Sequence, residues 1–270
     1  MHQAQDKVIL ITGGAAGIGR EVVRAFLQEG AKHVSVLDLD VTNGTNLEKE
    51  LAAKHGENKI KFYKCDVTSQ DLDACYDRVL KELGYIDVVI NCAGLLNDSP
   101  KAYLKEIAVN VSALIASSMR AYGLMRKDKG GNGGTIINIS SIMGLMQSAF
   151  VPIYAATKSA VLQFSNGLGM ERNYSRSGVR VLTMCFGCTD TSLLQPGKME
   201  GLDKDLEDEM FAILRQLPSQ TIDSAVRGLL DAYKNASSGS TWLVTSNKPG
   251  RDITKDVQNG FGIMGRYILE

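Results

Sequence analysis

Tyr154 and Lys158 stand four residues apart, and their types and spacing could do proton chemistry. On a helix, positions i and i+4 share one face. A phenol with an ordinary pKa of about 10 is a poor base at neutral pH. An ammonium within a few ångströms favours the phenolate and poises the group for proton transfer. Ser141 lies upstream at the end of the apolar run 135–140, which reads as a buried strand. A hydroxyl at that strand's C-terminal lip can hold a substrate oxygen while the phenol exchanges its proton. Tyr-x-x-x-Lys by itself is also the pattern of an ordinary solvated helix face, so it gains meaning only from a reaction to couple to.

The N-terminal stretch supplies a candidate. The apolar run 8–11 is followed by Thr12-Gly-Gly-Ala-Ala-Gly-Ile-Gly19, and then by helical spacing of Val22, Val23, Phe26 and Leu27. Strand, glycine-rich turn and helix in this order form a phosphate cradle. Small residues let the backbone approach a pyrophosphate, and the helix N-terminus favours its negative charge. The next strand, 33–37, ends at Asp38, close to the roughly 20-residue offset of an acid that binds an adenosine ribose. A carboxylate there accepts from the 2′- and 3′-hydroxyls and repels a 2′-phosphate. No lysine or arginine stands at 39 or 40 or within the glycine turn.

The elements that must position these groups alternate throughout. Strands are expected at 8–11, 33–37, 60–65, 86–90, 135–140, 179–185 and 241–245, and helices at 42–55, 70–83, 100–127 and 221–234. This pattern predicts one α/β domain over 1–270: a single doubly wound, Rossmann-like, mostly parallel seven-stranded sheet with helices on both faces. Right-handed crossovers place the strand C-termini on one edge, where ligands bind in open α/β sheets. The glycine turn, Asp38, Asp66, Asn91, Ser141 and Cys185 all fall there. Residues 192–218, polar and acidic with scattered apolar positions, read as a substrate lid. Residues 246–270 read as an apolar C-terminal tail able to reach Tyr154. Glu207, Asp208 and Glu209 read as the lid's solvated face.

Composition excludes several classes. A formal net charge of zero gives no electrostatic pull toward nucleic acid or an anionic membrane. No apolar run long enough to span a bilayer is read, and the first residues have no signal-peptide core. Five scattered cysteines point to reduced thiols and a cytoplasmic location. The Cys185-x-x-Cys188 pair has no second pair to complete a metal site, and the three histidines are dispersed; no metal is expected.

The set Thr12-Gly13-x-x-x-Gly17-x-Gly19, Asp66, Asn91-x-Ala93-Gly94, Asn110, Ser141 and Tyr154-x-x-x-Lys158 resembles the short-chain dehydrogenases/reductases, in order and spacing, over nearly the whole chain. Within that family the segment 133–146 is most similar to the NAD-dependent 15-hydroxyprostaglandin dehydrogenases and the insect alcohol dehydrogenases. The resemblance implies NAD as cofactor. It also implies a Ser-Tyr-Lys-Asn mechanism in which Tyr154 takes the alcohol proton as the carbinol hydride leaves. Ser141 would orient the oxygen, and Lys158 would lower the Tyr154 pKa and hold the nicotinamide ribose. Asn110 would anchor a water that relays the proton. Cofactor contacts are expected from Thr12, Gly13, Gly17, Ile18, Gly19, Asp38, Leu39, Asp66, Val67, Asn91, Ala93, Gly94, Tyr154, Lys158, Gly187, Thr189 and Thr191.

The chain departs from the family pattern twice. Phe186-Gly187 replaces the usual Pro-Gly after the sixth strand. Val151 stands where the prostaglandin enzymes carry a glutamine, which removes a hydrogen-bond partner for substrate. Substrate contacts are expected from Met143, Val151, Phe186 and Leu193, within a wider lining that includes Leu145, Phe150, Leu194, Met199 and Phe211. The expected substrate is a mainly apolar secondary alcohol or ketone. A ketone reductase and a non-catalytic NAD-binding sensor stay open as alternatives. The apolar positions of the 100–127 helix lead to an expected homodimer or homotetramer.

Overall fold

The computed structural model describes residues 1–195 and 197–268, without the side chain of Leu206. Pro196 of the expected lid and Leu269 of the expected tail lie outside the described residues.

Eight strands form one sheet in the order β3-β2-β1-β4-β5-β6-β7-β8. They are β1 (Val8–Thr12), β2 (His33–Asp38), β3 (Ile60–Lys64), β4 (Val88–Asn91), β5 (Gly134–Ser141), β6 (Val179–Phe186), β7 (Ser240–Val244) and β8 (Arg251–Asp252). The first seven pair in parallel, and β8 runs antiparallel to β7. The expected seven strands are present. The eighth was missed because two exposed residues carry no period-2 signal.

The alternation of side chains along the strands explains the layers. Ile9 and Ile11 of β1 point into one cluster and Leu10 into the other. Val88 and Ile90 divide from Val89 in the same way, and Ile137 from Ile136. A sheet apolar on both faces must be covered on both. One face receives α1 (Gly17–Gln28), α2 (Val41–His55) and α9 (Ile222–Asn235) through Val22, Phe26, Leu47 and Leu229. The other receives α3 (Asp71–Leu83) and α5 (Leu114–Met125) through Tyr76, Val79, Ala121 and Met125.

The expected helix over 100–127 is three pieces: α4 (Tyr103–Ile107), a π-helical turn (Ala108–Ala113) and α5. The wide turn carries Asn110, whose amide is turned to the backbone of Leu95. The joined helix Tyr103–Met125 is long and apolar enough, by length and composition alone, to cross a membrane. It packs against β4, β5 and α6 (Pro152–Leu168), and it buries Glu106, Asn110, Ser117 and Ser118.

After β6, the lid's described residues include short 3-10 turns at Ser192–Leu194 and Lys204–Leu206 and the helix α8 (Glu207–Gln216). Glu207, Asp208 and Glu209 occupy the first turn of α8, where acids favour the helix dipole. A short helix α7 (Glu171–Ser177) precedes β6, and α10 (Thr254–Gly265) ends the described chain. The tail does not reach Tyr154. No residue of 246–268 lines the cavity described below, and Phe261, Ile263, Met264, Tyr267 and Ile268 are exposed. The strand β8 and the Ile253 contact tie the segment to the far side of β7.

Candidate active site

The order β3-β2-β1-β4-β5 reverses direction between β1 and β4, which opens a crevice beyond their C-terminal ends. A cavity of about 680 Å³ lies there. It runs from Asp38 and Leu39 at one end to Ser141, Tyr154 and the lid at the other.

The cofactor end is fixed by backbone. Gly13 has φ +68°, and a side chain there would lie 2.7 Å from the backbone of Ala93. At Gly19 the added carbon would sit 2.1 Å from the Gly13 carbonyl oxygen. Only glycine permits the close turn. Gly13 N–H donates to the Leu37 carbonyl at 2.8 Å. The Asp38 carboxylate accepts from Ala15 N–H at 2.9 Å and Asp40 N–H at 3.0 Å, so it both braces the turn and stands at its mouth. The N-cap of α1, Ala16, offers no side-chain cap, and the first turn holds no acid. Gly17 and Ile18 of that turn line the cavity. An uncapped helix N-terminus beside a glycine turn suits a pyrophosphate, and a carboxylate at the end of β2 suits ribose hydroxyls. These residues fit a dinucleotide. One cation missed by local sequence is present: lid residue Lys198 lines this end and acts electrostatically on Asp40.

Most expected cofactor contacts line the cavity: Gly13, Gly17, Ile18, Gly19, Asp38, Leu39, Asp66, Val67, Ala93, Gly94, Tyr154, Lys158, Gly187, Thr189 and Thr191. Thr12 and Asn91 do not. Thr12 Oγ1 accepts from Ala93 N–H at 3.3 Å. Asn91 Nδ2 donates to Ser118 Oγ and Asn138 Oδ1 at 2.9 and 2.8 Å. Both hold the Ala93-Gly94 turn from behind. Thr189 is itself held, since Gln220 Nε2 donates to its hydroxyl at 3.0 Å; Gln220 had no local sequence signal.

At the other end, β5 delivers Ser141 and α6 delivers Tyr154 and Lys158. The Ser141 hydroxyl acts on the phenol; its Oγ donates to the Phe186 carbonyl at 3.4 Å and accepts from Met143 N–H at 3.2 Å. Lys158 Nζ donates to the Ile139 carbonyl at 3.1 Å and lies 5.5 Å from the Tyr154 ring centroid. Burial dominates both groups. It pushes Lys158 down to about 8. It raises Tyr154 above the ordinary phenol range, with the Ser141 hydroxyl opposing. In the chain without cofactor, burial is the largest influence on the phenol.

Asn110 is fully buried and lines no part of the cavity. Its Oδ1 accepts from Leu95 N–H and its Nδ2 donates to the Leu95 carbonyl, both at 2.8 Å. The side chain clamps the loop after β4.

The substrate end is apolar. Met143, Val151, Phe186 and Leu193 line it as expected, with Phe150, Leu194 and Met199. Leu145 is exposed and Phe211 packs behind the wall; neither lines the cavity. Leu95, Leu96, Met146, Met210, Ile213, Leu214 and Leu217 complete the wall. Helix α8 supplies several of these, a contribution set by tertiary packing and invisible to local spacing. Among the described residues no group of three or more His, Cys, Asp or Glu side chains is placed to hold a metal ion.

Residues 7–200 match the family described as short chain dehydrogenase. Rat (Rattus norvegicus) 15-hydroxyprostaglandin dehydrogenase (NAD(+)) is 32% identical over 92% of this chain and 94% of its own length. Alcohol dehydrogenase 1 of Ceratitis cosyra is 34% identical over 69% of this chain and 71% of its own. Among solved structures, a Brucella melitensis 3-ketoacyl-(acyl-carrier-protein) reductase complexed with NADH superposes with a TM-score of 0.73. It shares 21% identity and covers 90% of this chain and 98% of its own, a likeness of fold. The chain belongs to the short-chain dehydrogenase family.

Proposed function

We propose that this oxidoreductase transfers a hydride between NAD and a mainly apolar secondary alcohol or the corresponding ketone. The observation that carries the reading is the continuity of one cavity. A glycine-turn cradle ends where Ser141 and Tyr154 begin, and apolar walls enclose the space beyond. The names of the 15-hydroxyprostaglandin and alcohol dehydrogenase relatives support both the NAD and the alcohol. NAD, when bound, supplies the hydride acceptor.

The chain's own groups do the rest. Ser141 Oγ holds the substrate oxygen. Tyr154 takes the hydroxyl proton in oxidation and returns it in reduction. Lys158, above its charge transition near 8, is neutral, and below it carries the charge that favours the phenolate. Asn110 fixes the loop after β4, so its part is to hold the site's floor. The lid excludes water from the reacting atoms. Val151 and Phe186 leave the substrate wall without a side-chain hydrogen-bond donor at either departure from the family pattern, which disfavours substrates polar beside the carbinol.

The reading extends to a cytoplasmic homodimer or homotetramer. Leu104, Ile107, Met119 and Leu124 are exposed along α4 and α5, an apolar stripe that a second copy would cover. Light scattering at micromolar concentration is expected to give a mass above the 29.2 kDa of one chain; a monomer contradicts the assembly. For the activity, the protein is mixed with NAD and a panel of neutral, anionic and cationic secondary alcohols while reduced cofactor is followed by absorbance. Neutral apolar alcohols are expected to be preferred. Preference for a sugar, or for an anionic group beside the carbinol, contradicts the reading.

A further inference from the structure

Two carboxyl groups lie beneath the first turn of α6, and the proton transfer described above does not use them. Asp98 is 1% exposed and Glu106 is 0% exposed. Asp98 Oδ2 accepts from Ile153 N–H at 2.6 Å, and its Oδ1 accepts from Tyr154 N–H at 2.9 Å. These are first-turn donors of α6, and the N-cap residue Val151 supplies no side-chain cap. Asp98 therefore does from a distant loop what a capping side chain does locally, and one of its bonds is to the amide of Tyr154 itself.

Glu106 stands behind Asp98. Its Oε2 accepts from Asn97 N–H at 3.1 Å, and its Oε1 faces Asn110 Nδ2 at 3.5 Å. The two buried carboxyl groups, held at Asn97 and at the first turn of α6, act on each other. Two such groups out of water are best accommodated with a proton on one of them. Burial raises both; Asp98 raises Glu106 further, to about 7, and Glu106 pulls Asp98 back down. The proton belongs to Glu106.

We propose that Glu106 is a positioning residue for Tyr154, acting through Asp98: by carrying the shared proton it leaves Asp98 free to hold the first turn of the catalytic helix. The inference rests on the assignment of Tyr154 as the acid–base group. Once Glu106 ionises, two buried negative charges face each other, and the pair must part or give up a bond to α6. From α6, Tyr154 and Lys158 feel its charge directly: an ionised Glu106 raises the phenol, which disfavours the base, and also raises Lys158, while Lys158 in turn lowers Glu106. The thiols of Cys92, Cys185 and Cys188, facing the same pair from the ends of β4 and β6, are uncharged at neutral pH, since burial raises each. Ionisation of Glu106 thus displaces Tyr154 and weakens it together.

The test compares the wild-type enzyme with Glu106→Gln and Glu106→Ala, using NAD and one neutral secondary alcohol at pH values from about 6 to about 8.5. Glutamine keeps a donor to Asp98 and cannot ionise. Its kcat relative to wild type is expected to be near one at the acid end and to rise about threefold or more at the alkaline end. Alanine removes the donor, and kcat should fall about tenfold at every pH, while the dissociation constant for NAD stays within about twofold. A Glu106→Gln to wild-type ratio that is flat with pH, or an alanine variant equal to the glutamine one, overturns the proposal. Should the variants fail to fold, infrared spectra of the wild-type protein decide. A protonated-carboxyl band that disappears between about pH 6 and 8 is expected, and its absence overturns the proposal. Tyr154→Phe run in parallel separates the two levels. If it keeps turnover, the acid–base assignment falls and this inference with it. If it loses turnover while the ratio stays flat, only the role of Glu106 falls.

Discussion

The two ends of the cavity are built by different means. The cofactor end is made of backbone: Gly13 meets the Ala93 backbone, Gly19 meets the Gly13 carbonyl, and Asp38 is bonded to two amides. It rests on a sheet whose two faces are fully covered. The substrate end is made of side chains. Among the described residues its buried cluster is Leu96, Val151, Tyr154, Met199 and Met210. Few backbone bonds hold the lid to the site, among them Asp98 N–H to the Glu200 carbonyl at 2.9 Å and Leu202 N–H to the Phe150 carbonyl at 3.1 Å. A backbone cradle tolerates little change and so fixes the reaction's cofactor. A wall of interchangeable apolar side chains leaves the substrate free to differ between relatives that share the same chemistry.

The largest expected effect is where the two ends meet. Tyr154→Phe should lower kcat by about 10²–10⁴, the range for a positioned acid–base group, while NAD affinity, read by fluorescence titration, stays within a few-fold. Turnover above about a tenth of wild type would mean the two ends are joined by another group.

Lys158→Met probes the cost of burying an ammonium at the junction. With a folded value near 8 and an ordinary value of about 10.4, the wild-type chain bears the full penalty below about pH 8. As pH rises from 8 toward 10.4 the folded lysine loses its proton before the unfolded one, so wild-type stability gains. The variant should therefore be more stable at pH 7, by at most about 3 kcal/mol, with the advantage shrinking toward pH 9.5. Urea unfolding at both pH values checks this; an advantage that does not change with pH would place the ammonium in solvent.

Cofactor choice sharpens the contrast at the rigid end. Asp38→Ser removes a charge that repels a 2′-phosphate at a cost of about 1 kcal/mol or more, and it leaves Lys198 of the lid near the same place. The ratio of kcat/KM for NAD over NADP should fall about fivefold or more. An unchanged ratio would mean Asp38 serves only to brace the glycine turn.

The smallest effect belongs to the side-chain wall. Met210→Ala opens a gap in the thin cluster under α8. KM for a large apolar alcohol should rise a few-fold with NAD affinity unchanged, and Tm should move by only about 2 °C, because the lid opens as a local unit. A loss of several degrees would show the lid to be part of the cooperative core.

Much of this was legible in the sequence where local pattern and fold agree. The glycine turn, Asp38, Ser141, Tyr154 and Lys158 follow from strand ends and a helix period. The rest depended on contacts distant in sequence. Asp98 and Glu106 belong to no local motif, and the packing of α4 against α6 brings them together out of solvent. Asn110 sits in a π-helical turn that no spacing announces, and its side-chain bonds to Leu95 depend on that turn. The tail's apolar residues suggested pocket lining, yet α10 leaves most of them in solvent. The burial that raises the phenol is set by the whole fold and has no local signal.

Hydride transfer across the joined cavity is tested most directly with label. The wild-type protein is incubated with NAD and a neutral apolar secondary alcohol deuterated at the carbinol carbon, and the cofactor is weighed by mass spectrometry. The account expects reduced cofactor carrying the deuterium, and none when Tyr154→Phe replaces the wild type. Unlabelled reduced cofactor, or no reduction with any neutral secondary alcohol or reverse reaction with any ketone, would contradict it.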